Sequence, residues 1–304
     1  MSEHSHGWQA RLDLELIHEA PRTRLGHRSH FGPLRIQRPF YPEGEDRLHL
    51  YLLHPPGGLV GGDSLEISVT SRAGAHGLLT TPSAQKVYRT IESRSSQRVV
   101  LHVEGHASLE WLPSETLIFD GAAARLETRV ELAKEASFIG WEIGCFGRPA
   151  SQAPFAQGDL FQSFEIYCAG EPVIVDRLRM RGGSEALQAA YGQQGYPAYG
   201  TLYCVVPSAV FTSSAAASNS SSVLGDGSAP NQTPGPASST ADWLTTLRGR
   251  LGEQARATAF ENAVVVRARA EHVELVRHEL VRAWACLREL ALGRPPSLPR
   301  IWAT

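Results

Sequence analysis

The chain has 304 residues, of which 42% are hydrophobic and 20% are charged. This length suffices for one large domain or two small ones around a buried core. The 29 basic and 31 acidic residues give a formal net charge of −2, which argues against a nucleic-acid partner because such binding needs a basic excess.

The composition also predicts a protein without a membrane partner. The chain has no run of about 20 apolar residues that could span a bilayer. Its first residues, MSEHSHGWQARLDLEL, lack a basic start followed by an apolar run, so no signal peptide is predicted. The four cysteines form no C-x-x-C pair and lie among apolar neighbours, which predicts buried thiols in a reducing compartment. We therefore expect a cytoplasmic protein.

Period-two alternation is the dominant pattern along the chain. Apolar residues alternate with polar ones in eight runs, which predicts half-buried strands. These runs are SLEISVTS, RVVLHVEG, RLETRVELA, FIGWEIG, SFEIYC, PVIVD, LYCVV and AVVVRARA. Short Gly/Pro turns separate them, and no helix of ten or more residues is predicted before about residue 185. The pattern predicts a mainly β fold: an extended antiparallel body, solenoid- or barrel-like, with a few helices.

Helical spacing occurs in three places. A short helix is predicted at residues 184–191 and a longer one at residues 240–254. The clearest case is the amphipathic C-terminal helix at residues 270–292, which Gly293 ends. Residues 212–241 are rich in Ser, Ala, Gly and Pro and predict a disordered insert. We expect a β-rich body at 1–211 and an α+β part at 242–304 packed on it, together forming one domain.

The common catalytic motifs do not occur in the sequence. G-x-x-x-x-G-K-[ST], G-x-S-x-G and H-E-x-x-H are all missing, so phosphate-loop, acyl-hydrolase and helix-borne zinc chemistry are unsupported. What stands out instead is a set of acids beside or inside apolar strands: Asp63, Glu115, Asp120, Glu142 and Asp176. A carboxylate in such a place is costly unless it is paired, hydrated or bound to a cation. Salt bridges to nearby arginines explain the acids as well as a polar conduit does. Such a conduit would hold a borderline divalent ion weakly, in transit.

An ordered series of longer strings resembles the urease accessory protein family UreD, also called UreH. The strings are RPFYP (residues 38–42), LHLYLLHPPGGLVGGD (48–63), LLTTPSAQKVYR (78–89), LEWLPSETLIFDGA (109–122), GWE (140–142), GRPAS (147–151) and LGRPPSLPRIWAT (292–304). The resemblance runs from about Trp8 to the C-terminus and is interrupted only by the insert, which is unusual for the family.

The resemblance implies a non-enzymatic maturation factor. Members bind the urease apoprotein and the accessory protein UreF, which recruits the GTPase UreG, and the assembly delivers nickel to urease. Members are thought to conduct nickel through an internal tunnel, so the implied cofactor is transient nickel with nothing tightly bound. By motif, the acids proposed to matter for passage fall on Asp63, Glu142 and Asp176, with Thr81, Ser83 and Lys86 as neighbours. We add His54, Glu115 and Asp120 as candidate tunnel neighbours.

The C-terminal helix and the Arg-Ile-Trp ending are candidate docking elements for UreF, through Trp284, Arg300, Ile301 and Trp302. Two alternatives stay open. One is an adaptor protein without any metal passage. The other is a metal-dependent hydrolase that uses Asp63, Glu142 and His54, which would need three or more ligands in one tight centre.

Overall fold

The computed structural model describes residues 7–90, 93–208, 210 and 240–303. Within these ranges the chain forms two β-sheets, and α-helices pack against one of them. Helix α1 spans Thr240–Arg250 and helix α2 spans Val273–Leu292. The strands are β1 (Gln9–Glu19), β2 (Arg22–Phe31), β3 (Arg35–Ile36), β4 (Arg47–Leu53), β5 (Gly58–Leu59), β6 (Ser64–Ser71), β7 (His76–Thr80), β8 (Gln85–Val87), β9 (Ser95–Val103), β10 (Ser108–Leu112), β11 (Thr116–Ile118), β12 (Ala122–Leu132), β13 (Ser137–Phe146), β14 (Gly158–Cys168), β15 (Glu171–Arg181), β16 (Ala198–Val205), β17 (Ala255–Phe260) and β18 (Ala263–Ala270).

The chain alternates between the two sheets as it advances. The seven-stranded sheet has the order β15-β14-β12-β9-β6-β1-β2, and the eleven-stranded sheet has β17-β18-β16-β13-β10-β7-β4-β3, with β5, β8 and β11 beside it. Because each turn of the chain adds one strand to each sheet, neighbours within a sheet run parallel, as in the series β1, β6, β9, β12 and β14. The result is a two-layered β-solenoid.

Short stacked turns carry the chain from the first sheet to the second. They lie at residues 72–75, 104–107 and 133–136, and in each the last N–H donates to the carbonyl three residues earlier, at 2.9 to 3.1 Å. The last residue of each turn is a buried alanine: Ala75, Ala107 and Ala136. A small side chain at this corner lets successive turns stack closely.

The prediction of a mainly β, solenoid-like fold with a C-terminal helix is confirmed, but antiparallel pairing of the body is wrong. Among the described strands, antiparallel pairs lie between β1 and β2, between β14 and β15, between β3 and β4, and in the series β13, β16, β18 and β17. A parallel connection usually needs a helical crossover. Here a strand of the opposite sheet serves as the crossover, so the chain reaches a parallel neighbour with short turns alone.

Two apolar cores hold the layers together. One lies between the sheets, and the second lies between the eleven-stranded sheet and helices α1 and α2. Helix α2 buries Val276, Leu280, Trp284 and Leu287, which recur at helical spacing. It ends where Gly293 adopts a φ of 61°. None of the described helices is long and apolar enough to cross a bilayer.

The predicted segments outside the strands had different outcomes. The predicted helices at 240–254 and 270–292 are observed as α1 and α2, whereas 184–191 holds only a 3-10 turn at Glu185–Leu187. Of the predicted insert, residues 212–239 lie outside the described residues, and Thr240 and Ala241 begin α1. The proposed domain boundaries stay a prediction. Strands β17 and β18 extend the eleven-stranded sheet through β16.

Candidate functional site

A cavity of about 350 Å³ lies between the two sheets. The seven-stranded sheet contributes Gln97, Thr128 and Gln162 to its lining, together with apolar residues of β6 and β12. The eleven-stranded sheet contributes Glu142 and three segments that interrupt its strands, at residues 54–57, 81–84 and 113–115. Both sheets therefore bring polar groups to a lining that also has apolar residues from each, whereas the cores around it are apolar.

Two acids line this cavity. Glu127 pairs with Arg125 at 2.6 Å, and the second acid is Glu142. It lies on β13 between Gly140 and Gly144, and a Cβ atom on either glycine would fall 2.4 Å from the ring of Phe138 or Tyr199. The two rings thus occupy the space beside the carboxyl group. Burial raises the pKa of Glu142 to about 8, and the negative charge of Asp176 adds to the shift, while Gln162 and Arg267 oppose it. A neutral carboxylic acid at pH 7 can give up its proton when a cation replaces it.

Asp176 lies close enough to act on Glu142 but does not line the cavity. Its Oδ2 accepts hydrogen bonds from Tyr203 Oη at 3.0 Å and from Arg267 Nη2 at 2.6 Å. Asp176 belongs to the seven-stranded sheet, and both donors belong to the eleven-stranded one. This contact joins the two sheets, so Asp176 has the salt-bridge role that the sequence left open.

Asp63 is buried in a turn before β6 rather than in the cavity lining. Its Oδ1 accepts from the backbone N–H of Trp8 at 2.7 Å, and its Oδ2 accepts from that of Val60 at 2.9 Å. Both oxygens therefore already have partners. The charge still acts on His54, where burial lowers the pKa of the imidazole and Asp63 partly offsets the effect.

The predicted tunnel neighbours divide into two groups. His54, Thr81 and Ser83 line the cavity. Lys86, Glu115 and Asp120 do not. Glu115 pairs with Arg277 of helix α2 at 3.1 Å, and the carboxylate of Asp120 accepts the backbone N–H groups of Ala156 and Gln157. The sequence missed Gln85, Gln97 and Gln162, since a glutamine in an alternating strand gives no distinctive signal.

The hydrolase alternative needs three clustered ligands. Within the described residues, no group of three or more His, Cys, Asp or Glu side chains is placed to hold a metal ion. His54 and Glu142 share the cavity, but Asp63 is engaged elsewhere by its turn. The described part of the chain therefore lacks the centre that this alternative requires.

The prediction that Trp284 forms part of a docking surface is wrong. Its side chain is fully buried, and its Nε1 donates to Glu110 Oε2 at 2.7 Å. Trp302 folds back onto the body of the protein, packing against Trp141 and Trp284 and donating from Nε1 to Thr80 Oγ1 at 2.9 Å. Ile301 is half-buried, which leaves Arg300 as the exposed member of the predicted set.

Beneath helix α2 lies a buried charge network that sequence reasoning did not find. Glu110 is fully buried and accepts hydrogen bonds from Arg47 at 3.0 Å and from Arg288 Nε at 3.0 and 3.2 Å. Arg288 also donates to Glu43, which pairs with His49 at 2.6 Å. Burial alone would raise the pKa of Glu43, but His49 and Arg288 bring it down to about 2. The network fastens helix α2 to β4 and β10.

The fold and the cavity together define a two-layered β-solenoid whose interior holds a cavity with polar groups from both sheets. The family model described as UreD urease accessory protein matches residues 9–303. The chain is 37% identical over 304 residues to Urease accessory protein UreD 2 of Brucella anthropi, covering 99% of this chain and 100% of that relative. It is 38% identical over 306 residues to Urease accessory protein UreD of Hahella chejuensis, covering 98% of this chain and 91% of that relative. It is also 38% identical over 306 residues to Urease accessory protein UreD of Pseudomonas putida, covering 100% of this chain and 97% of that relative. The chain belongs to the UreD family of urease accessory proteins and has a role in urease maturation.

Proposed function

We propose that this protein is a maturation scaffold that passes nickel through its interior cavity to apo-urease. UreF is the proposed direct partner, and UreG joins through UreF. The observation that carries the proposal is the inward-facing Glu142, in a cavity whose other polar lining groups are amides, hydroxyls, one imidazole and the Arg125-paired carboxylate of Glu127. Oxygen and imidazole groups suit a borderline divalent ion.

A sparse set of ligands favours transit over storage. Glu142 is the cavity's acid on β13, and its neighbours along that strand are apolar. A divalent cation would replace the carboxyl proton there. The site is then neutral when it is empty and singly positive when it is filled, and with one carboxylate as ligand its affinity for the cation is low. Low affinity suits release to a tighter site in the recipient enzyme.

The test compares two neutralised acids in cells that express urease with its accessory proteins. Glu142→Gln removes the cavity carboxylate with little change in volume. Glu66→Gln, at an exposed position of β6, is the matched control. We expect urease purified from the Glu142→Gln strain to contain less nickel, while the control strain gives enzyme with the normal content.

Complex assembly decides between the proposal and the adaptor alternative. Affinity purification should recover urease, UreF and UreG equally well with both variants, because Glu142 lies inside the protein. If the Glu142→Gln strain yields nickel-replete urease, passage through this cavity is refuted and the adaptor without a metal path is the better description. Normal nickel loading in a strain that lacks the chain altogether would refute a role in delivery of any kind.

A further inference from the structure

The eleven-stranded sheet opens progressively beside the cavity. The pairing registers place Gly140, Trp111, Leu79 and Leu50 side by side, and further along they place Cys145, Leu117, Lys86 and Gly58 side by side. The number of residue steps between these two levels increases from strand to strand. It is five from Gly140 to Cys145, six from Trp111 to Leu117, seven from Leu79 to Lys86 and eight from Leu50 to Gly58. Each added residue loops out of the sheet, so the gap is widest at the segment that joins β4 to β5.

Proline keeps this gap from closing. Pro55, Pro82 and Pro113 each fall within one of the three interrupted segments. Because proline has no N–H to donate, strand pairing cannot continue through these positions. The opening is therefore encoded in three successive turns of the solenoid.

Two buried polar atoms, one in the widest segment and one at the start of β8 beside the opening, have no partner. They are Nδ1 of His54 and Nε2 of Gln85, and both residues line the cavity. Polar groups of the other interrupted segments do have partners. Ser114 Oγ donates to the carbonyl of Thr81 at 2.9 Å, and the carbonyl of Pro113 accepts from Trp141 Nε1 at 2.7 Å. A buried polar atom without a partner is costly, so such atoms call for a group that completes their hydrogen bonding or coordination.

We propose that His54 and Gln85 form the first binding site of the divalent cation, at the wide end of the opening. This inference rests on the proposed function and names the residues through which the cation enters the cavity. An imidazole nitrogen binds a borderline divalent ion, and turning the Gln85 amide by 180° presents an oxygen ligand in place of Nε2. Asp63 adds a nearby negative charge without being a ligand, since backbone N–H groups occupy its oxygens.

Direct binding is measured by titrating the full chain, labelled with ¹⁵N-histidine, with Ni²⁺ and following the imidazole signals by NMR. We expect paramagnetic broadening of the His54 signals at lower Ni²⁺ than broadening of exposed His102 on β9. Gln85→Leu should raise the Ni²⁺ needed by at least the ~10-fold that even outer-shell changes cause at metal sites. His102→Ala is the control and should leave the His54 titration unchanged. Simultaneous broadening of His54 and His102, or an unchanged titration in Gln85→Leu, overturns the assignment.

The urease assay separates this inference from the proposed function. If His54→Ala and Glu142→Gln both lower the nickel content of urease with assembly intact, both proposals are supported. If only Glu142→Gln lowers it, the entry site is overturned and passage through the cavity stands. If His54 binds Ni²⁺ by NMR and neither variant lowers the nickel content, passage is refuted, while His54 and Gln85 stand as a cation site with no part in delivery.

Discussion

Replacing Glu142 by glutamine tests whether the cavity holds a neutral carboxylic acid. The pKa of Glu142 rises from the model-peptide value of 4.5 to about 8 in the folded chain, chiefly through burial. The folded protein then keeps a proton that the unfolded chain releases. The contribution of Glu142 to the free energy of unfolding is fully present below pH 4.5 and is lost as the pH rises towards 8. One pKa unit corresponds to about 1.4 kcal/mol, so the loss reaches roughly 4 kcal/mol by pH 8.

Glutamine removes this dependence because it does not ionise. We expect the free energy of unfolding of Glu142→Gln to match that of the unmodified protein within about 1 kcal/mol at pH 5 and to exceed it by a few kcal/mol at pH 8. Urea denaturation at pH 5, 6.5 and 8 measures the difference directly. Titration of other groups cancels, since both proteins share them.

Glu66→Gln is the control for this series because Glu66 is exposed on the neighbouring sheet. Its unfolding free energy should stay within about 0.5 kcal/mol of the unmodified protein at every pH. If the curves for Glu142→Gln and the unmodified protein are parallel from pH 5 to pH 8, the carboxyl group is ionised throughout that range. Solvent in the cavity, or Gln162 and Arg267, would then fully offset the effect of burial, and the reasoning about proton exchange would be wrong.

Three further substitutions test the contacts around the site, each by urea denaturation. Glu110→Ala leaves Arg47 and Arg288 buried without their shared partner and should cost about 3–5 kcal/mol; a loss below 1 kcal/mol would mean that the network does not fasten helix α2. Trp302→Ala removes the contacts with Trp141 and Trp284 and should cost about 2 kcal/mol, because the ring is half-buried. Leu298→Ala is the control: this side chain is 59% exposed, so its loss should change the free energy of unfolding by less than about 0.5 kcal/mol. Equal effects of the two substitutions would contradict the packing of Trp302. Asp63→Ala should cost about 1–3 kcal/mol because two backbone N–H groups lose their acceptor, whereas Asp63→Asn keeps one of the two acceptors and should cost less; equal losses would show that the charge, and not the turn, is what matters at Asp63.

Strands buried on one face were the easiest to predict. Strands β6, β9 and β12 alternate between inward apolar and outward polar residues, and their sequence runs show it. Strands β4 and β10 are buried on both faces and carry apolar residues on each, so RLHLYLL and SLEWL give no clean alternation. Periodicity cannot distinguish such a run from a buried helix segment. Strands β4 and β10 were therefore not predicted, whereas β13, β16 and β18 of the same sheet were.

Strand direction was beyond what alternation can tell. A period of two follows from the pleat and is the same in parallel and antiparallel sheets. The turn at residues 72–75 predicts a reversal of the chain, but it does not say whether the next strand joins the same sheet or the opposite one. That choice depends on how successive turns stack, as where Gly74 N–H donates to Gly105 at 3.1 Å. Contacts between separate turns of the solenoid carry no local sequence signal.

Glu110 and Glu142 show how far the candidate site could be predicted. Both are carboxylates inside strands of bulky apolar residues, in SLEWL and FIGWEIG, so the sequence treats them alike. The register pairs Glu110 with Ile139 on the adjacent strand, and Ile139 belongs to the core beneath the helices. Glu142, three residues after Ile139, faces the opposite side of the sheet. Arg47 and Arg288, which are distant in the sequence, reach only the helix side, so Glu110 is neutralised by pairing. On the cavity side of the same sheet, no ion pair with Glu142 occurs among the described residues, and the proposed nickel passage depends on this acid exchanging its proton for a cation.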